Sequence, residues 1–313
     1  MKIKILRILV LFTFVFSAIQ LQASNCFGEK LSVIASIFPV ADMVKQVGGM
    51  YVDVTTVIPP GASPHTYEPK PSLLKKISKA RIFFMIGAGL ELWAGKFVRL
   101  SKNQLYTVKL TEGISLIKLS KHHHDDFDHH HHVDEDISET GSGFANPHIW
   151  LDPNVAKLMV NKIISVLCKI DNKHMKYYEK RGLAYLDKLD ELHCLISSTV
   201  EKFKIRKYVC FHPAWDYFAK RYKLESVGVI EAAPGRSPTP RSIKKIVSLI
   251  IKHDIRAVFA EPQLNPKIAE VIAREADVKV LFLDPMGGPD IKGRNSYFEL
   301  MKYNLKVFQE AML

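Results

Sequence analysis

The chain lacks the marks of several common classes. Cysteine is scarce: four in 313 residues, at positions 26, 168, 194 and 210, with no C-x-x-C pair. A cysteine zinc site does not fit those spacings. There is no G-x-x-x-x-G-K loop, so the chain hydrolyses no nucleotide, and no H-E-x-x-H of a zinc hydrolase. No apolar run beyond the first twenty residues approaches the roughly 20 needed to span a bilayer. Repeat and collagen-like biases are missing. A basic stripe is missing too. The net charge is +12, but the lysines are scattered, so the surface reads as solvated and not as a nucleic-acid face.

What is present points to an exported, two-domain protein. The length exceeds what one core comfortably fills. Residues 1–7 carry three basic side chains, Ile8–Ile19 is a twelve-residue apolar run, and a polar stretch follows. This order reads as a signal peptide over 1–23, cut after Ala23. Cys26 opens the option of a lipid anchor, although Asn25 before it makes a poor lipidation motif. In an oxidising compartment Cys168 and Cys194 pair if their helices lie side by side, or remain free buried thiols.

After the signal, apolar strand-like runs alternate with helical patterns. Strands read at 30–38, 51–58, 81–87 and 105–110, with helices at 40–49, 71–80 and 90–100. A second series places strands at 207–211, 225–230, 255–260 and 278–283, with helices at 213–222, 237–254, 265–277 and 295–312. Such alternation predicts an α/β fold with mostly parallel sheets flanked by helices. Between the series, "DPN" at 152–154 opens one helix. A second runs from about 172 to 204, and roughly 30 residues make a rod of about 45 Å. The domains predicted are an N-terminal lobe over 30–150, a helical segment over 151–205 whose long rigid helix links the lobes, and a C-terminal lobe over 206–313.

Residues 119–145 break the alternation. They are rich in His, Asp, Glu, Ser and Gly and cannot build a core, so they read as a loop. Seven of the thirteen histidines lie there: His122, His123, His124, His129, His130, His131 and His132. The run reads either as a solvated linker or as a weak auxiliary zinc site, since flexible ligands lose ordering entropy on binding.

Ligands of open parallel sheets bind beyond the carboxyl ends of strands. His65 lies in the loop after the strand at 51–58, and His148 sits in "NPHIWLDP". His212 directly follows "KYVCF", and Asp284 directly follows "VKVLFL". Converging, three imidazoles and one carboxylate make a tetrahedral site that suits zinc, with manganese or cobalt as alternatives. Any one of them alone is as well explained as a cap or loop residue. Glu68 and Glu261 lie near the expected cleft and read first as ordinary solvated loop carboxylates, with hydrogen-bond partners of the ligands or alternative oxygen ligands as the other readings. His174, His193 and His253 fall in or at the ends of helices and read as structural. A three-histidine site of unperturbed imidazoles would lose metal as pH falls through about 6.5.

The motifs "PPGASPHTYEPKPS", "NPHIWLDP", "FHPAWDYFAKRY", "AVFAEPQLNP" and "LFLDPMGG" resemble, in order and spacing, the metal-binding solute-binding proteins of ABC transporters, the zinc and manganese uptake family also called cluster A-I. The resemblance covers about 30–313. It implies two α/β lobes joined by a long rigid helix, with metal between them on His65, His148, His212 and Asp284. It also implies a periplasmic monomer that passes Zn2+ to an inner-membrane permease powered by its ATPase. Manganese-type members tend to carry Glu where His212 stands, so His212 and the His-rich loop favour the zinc branch. Some zinc members carry Glu immediately before the first ligand His. Pro64 stands there in this chain, which shifts weight to Asp284. Two other readings compete: a zinc hydrolase, which needs an open metal position and a base, and a lipid-anchored adhesin or metal buffer.

Overall fold

The computed structural model describes residues 29–70, 73, 80–95, 98, 105–118, 145–231 and 237–313. The signal segment 1–23, Cys26 and the histidine run 121–132 lie outside the described residues, as do most of the helix expected at 71–80 and part of that at 90–100. Residues 90–93 form turns where helix was expected.

Among the described residues, eight short strands form two parallel four-stranded sheets. The first contains β1 (Leu31–Ala35), β2 (Val52–Thr56), β3 (Ile82–Met85) and β4 (Tyr106–Lys109), in the order β2-β1-β3-β4. The second contains β5 (Lys207–Cys210), β6 (Glu225–Val229), β7 (Ala257–Ala260) and β8 (Lys279–Phe282), in the order β6-β5-β7-β8. The two sheets thus repeat one topology. β3 and β7 are buried at every residue, as strands covered on both faces must be, and both are unbroken apolar runs.

Among the described residues, seven α-helices surround the sheets. α1 (Phe38–Gly48) follows β1. α2 (Pro153–Ile170) opens with Pro153 at its first position, and the Asp152 carboxylate accepts the Asn154 N–H. α3 (Met175–Val200) is the long helix, 26 residues or about 39 Å. It is shorter than the 172–204 expected because residues 172–174 form a 3-10 turn in which the Asp171 carboxylate accepts from the Tyr178 hydroxyl. Its buried stripe is Tyr178, Gly182, Tyr185, Leu189, Leu192 and Ile196. Gly182 lets α2 approach closely: a Cβ there would lie 2.2 Å from Ile164 Cδ1. In the second lobe, α4 (Asp216–Tyr222), α5 (Pro240–Lys252), α6 (Lys267–Glu275) and α7 (Tyr297–Met312) complete the pattern.

The cysteine pairing does not form, and Cys168, Cys194 and Cys210 are free. α2 and α3 do pack together, but as an antiparallel hairpin. Cys168 sits at the turn, its thiol 3.8 Å from the Met175 carbonyl oxygen. Cys194 lies about 28 Å further along α3 at 1.5 Å per residue.

One apolar core runs through both lobes. Phe308 of α7 stacks on Phe218 with centroids 5.0 Å apart and meets Trp215 and Phe259 edge-on. α7 also reaches back to α1 and α3. The Tyr297 N–H donates to Asp42 Oδ2 at 2.9 Å, and its hydroxyl donates to the Trp150 carbonyl at 2.7 Å. A second, smaller core lies under α5 and α6. Two lobes that share a core and are clasped by buried hydrogen bonds form a scaffold that limits their relative motion. No helix among the described residues is long and apolar enough to cross a membrane.

Candidate metal centre

Three histidines converge in the cleft from three separate segments. His65 rides on the loop after β2. That loop passes through Pro59-Pro60-Gly61, where Gly61 takes a positive φ of 80°. The Thr66 and Tyr67 N–H groups then fold onto the Ser63 carbonyl, winding one turn that carries His65. His148 precedes the buried 3-10 turn Ile149–Leu151. His212 follows β5 directly and precedes the turn Pro213–Trp215. His148 and His212 are buried and His65 is half-buried.

The Nε2 atom of His148 lies 3.2 Å from Nε2 of His65 and 3.2 Å from Nε2 of His212. One ligand atom from each of the three rings lies within 4.8 Å of the others. Tetrahedral zinc with Zn–N bonds of 2.0–2.1 Å sets its nitrogens about 3.3 Å apart.

The hydrogen bonds behind the rings fix which nitrogens face the cleft. Asn146 Nδ2 donates to the Pro213 carbonyl at 2.7 Å and to Asp216 Oδ2 at 2.9 Å. Its Oδ1 is therefore an acceptor, taking the His148 main-chain N–H at 3.0 Å and ring Nδ1 at 2.7 Å. His148 Nδ1 must carry the proton, so Nε2 is bare. His212 Nδ1 bonds Glu261 Oε1, which holds the ring from behind and turns its Nε2 toward the cleft. Where both Nε2 atoms present lone pairs at 3.2 Å, those lone pairs repel. A cation between them turns that repulsion into ligation.

Electrostatics favour the same state. Burial and the neighbouring His212 ring hold His65 down to about 4. Burial, with the His212 and His65 rings, holds His148 well below the usual imidazole range. Both rings are neutral at physiological pH and need not shed a proton to bind metal. Desolvation thus holds these two imidazoles below the unperturbed value near 6.5 that the sequence reading used. Burial raises the Glu261 carboxyl, while the adjacent His212 ring pulls it back.

The remaining sequence candidates separate. Glu261 is 2% exposed and holds His212 from behind. Glu68 is exposed on the loop and does not reach the cavity wall. Asp284 is fully buried but does not join the histidines. Its carboxylate is committed elsewhere: Oδ1 accepts from Gln263 Nε2 at 2.8 Å and from the Met286 and Gly287 N–H groups at 2.9 and 3.0 Å. Oδ2 pairs with Arg294 Nη1 at 2.8 Å. The auxiliary histidines 122–124 and 129–132 lie outside the described residues.

Two residues that the sequence reading passed over also belong to the site. Glu231 lines the same cavity, with Pro64, Trp150 and Gln263 among the other walls. Its main-chain N–H donates to the Phe211 carbonyl at 2.7 Å, which sets it beside His212. The signal for it was the strand-end rule itself: one ionisable residue lies just past each strand of the second sheet. These are His212 after β5, Glu231 after β6, Glu261 after β7 and Asp284 after β8. Asn146 is the other, and a neutral amide carries no such signal.

Known proteins share this architecture. The model of the family described as zinc-uptake complex component A, periplasmic (ZnuA), matches residues 33–311. The chain is 28% identical over 290 residues to the high-affinity zinc uptake system protein ZnuA of Bacillus subtilis, covering 91% of this chain and 89% of that one. It is 27% identical over 316 residues to the zinc-binding protein AdcA of Streptococcus pyogenes, covering 99% of this chain but 61% of AdcA's length. A crystal structure of ZnuA aligns with a TM-score of 0.77 at 26% identity, over 90% of this chain and 99% of that one. The laminin-binding protein Lmb of Streptococcus agalactiae, a bifunctional protein with adhesin and metal transporting activity, aligns at 0.75 and 27% identity, over 90% and 99%. With its two repeated sheets, its linking helix and a match spanning nearly the whole chain, this protein belongs to the periplasmic zinc-uptake component A family.

Proposed function

We propose that the protein captures Zn2+ outside the inner membrane through the Nε2 atoms of His65, His148 and His212, and delivers it to an inner-membrane permease driven by an ATPase. The observation that carries this reading is the trio of imidazoles with 3.2 Å between Nε2 neighbours and Nδ1 hydrogens held from behind on the buried pair. Three imidazoles suit zinc better than manganese, which prefers oxygen.

Zinc on three neutral rings keeps its full charge in a largely buried site, and buried charge demands compensation. Glu261, through His212, supplies one negative charge. We assign further charge compensation to Glu231, the second carboxylate on the cavity wall, which like Asp284 stands outside the histidine group. Asp284 then serves as a structural anchor of the second lobe. The chain acts as a monomer that releases metal when one ligand-bearing segment shifts, and the His-rich run 121–132 collects zinc more weakly. The signal peptide read over 1–23 supports a periplasmic location, with a lipid anchor at Cys26 as the variant of that reading.

The similarity to Lmb favours adhesion as a second reading. A strain lacking this protein separates them. Growth rescued by added zinc alone supports uptake. Zinc-independent growth with loss of surface attachment supports adhesion. The hydrolase reading requires turnover of ester or peptide substrates by the zinc-loaded protein, and none is expected.

A further inference from the structure

Asn146 occupies an unusual place. It lies on the segment that carries His148, yet its side chain is buried and bonded into the start of the helical region after His212. All of its polar groups are engaged. Nδ2 holds the Pro213 carbonyl and the Asp216 carboxylate. Oδ1 holds the His148 N–H and ring. The main-chain carbonyl accepts the Tyr217 hydroxyl at 2.8 Å, and the main-chain N–H donates to the Ile117 carbonyl at 2.8 Å. The same hydroxyl accepts the Ile117 N–H at 3.0 Å.

Resting on the zinc-binding reading above, we propose that Asn146 is the positioning residue of the centre. It fixes the tautomer of His148 and yokes that ring to the element that carries His212. An amide is suited to both tasks. A carboxylate could accept from His148 but could not donate to Pro213 and Asp216. A hydroxyl could not do both with the same reach.

The consequence is an ordered half-site. His148 and His212 are each held at Nδ1, by Asn146 and by Glu261, and both are tied to the second lobe. Trp150 Nε1 adds a bond to the Pro285 carbonyl at 2.8 Å, and Arg221 Nε adds one to Asp152 Oδ2 at 2.9 Å. The segment 146–152 therefore belongs mechanically with the second lobe. His65 lacks such support: no hydrogen bond among the described residues reaches its Nδ1, and its loop is held by local turns. The pair forms a preset two-nitrogen platform, and His65 closes the site.

The test combines a measurement without metal and one with it. In the metal-free wild type, nitrogen-15 shifts of the His148 ring should show protonated Nδ1 and bare Nε2. In Asn146→Ala that preference should vanish and zinc affinity should fall roughly 10–100-fold, the usual loss when the partner behind a ligand histidine is removed. Tyr217→Phe is the control. It removes a bond to the Asn146 main chain and lowers thermal stability, but it leaves the His148 ring held, so zinc affinity should stay within about threefold of wild type. A wild-type tautomer and affinity in Asn146→Ala would overturn the proposal. So would a loss of affinity in Tyr217→Phe equal to that in Asn146→Ala, which would mean that Asn146 only holds the fold. If the alanine variant does not fold, Asn146→Asp carries the test: it keeps the acceptor, so the proton should remain on Nδ1, and its transfer to Nε2 refutes the assignment. A wild type that binds no zinc would overturn the function alone, since the tautomer is read without metal.

Discussion

Asp284→Asn separates two roles that a strand-end carboxylate can play. As a structural anchor, Asp284 pairs with Arg294 while its own side chain is 1% exposed and that of Arg294 is 22% exposed. Asparagine keeps an oxygen for the Met286 and Gly287 N–H groups but faces the guanidinium without charge. Breaking a buried ion pair from one side costs about 3–5 kcal/mol, and partial solvent access at Arg294 places this case at the low end, about 3 kcal/mol. A chain of this length has an unfolding entropy of roughly 0.65 kcal/mol/K, so the melting temperature of the metal-free protein should fall by about 5 °C. Zinc affinity should change by less than about threefold. Zinc held by four ligands is bound by about 10–16 kcal/mol, so one lost ligand would cost about 100- to 1,000-fold. Thermal melts without metal and competition against a chromophoric chelator read the two quantities separately. An unchanged melting temperature with a hundredfold loss of affinity would refute the anchor role and restore Asp284 as a ligand.

Three further outcomes are expected. At pH 6, three unperturbed imidazoles would release about two protons on binding zinc; with His65 near 4 and His148 also held well below the usual imidazole range, release should be one proton or fewer. Calorimetry in buffers of different ionisation enthalpy measures that number. The sign also applies to the fold: a histidine whose folded pKa is depressed leaves the unfolded chain binding more protons, so metal-free stability should fall as pH drops from about 6.5 to about 4. Glu231→Gln should weaken zinc by about 10-fold or more while leaving the metal-free melting temperature within about 2 °C, and unchanged affinity would remove Glu231 from the site. Deleting residues 121–132 should leave one tight zinc site and remove weaker binding only, and loss of the tight phase on titration would contradict the auxiliary role.

Much of the fold was legible because parallel strands covered on both faces are written as plain apolar runs. "RIFFMIG" and "IRAVFA" stand out on that ground, and β3 and β7 fall within them. The strand-end rule then pointed to His65 and His212 and "NPHIWLDP" to His148, three rings that the fold brings together. What the rule cannot do is tell a ligand from an anchor. Asp284 and His212 hold equivalent positions after β8 and β5. The difference lies in Arg294, ten residues on, and in Asn304 of α7, whose side chain bonds the Asp284 main chain. Glu231 was hidden for the opposite reason, because a carboxylate before a Pro- and Gly-containing loop looks like a solvated loop residue. The direction of the α2–α3 hairpin, which keeps Cys168 from Cys194, follows from a four-residue turn and not from the composition of either helix.

The most direct test of the central claim is X-ray absorption at the zinc edge on protein loaded with half an equivalent of metal, so that only the tightest site fills. The account predicts three imidazole nitrogens near 2.0 Å with oxygen completing four-coordination, a signal lost when His65, His148 and His212 are replaced together by alanine. A tight site with fewer than two imidazoles, with sulfur ligands, or surviving that triple replacement would contradict it.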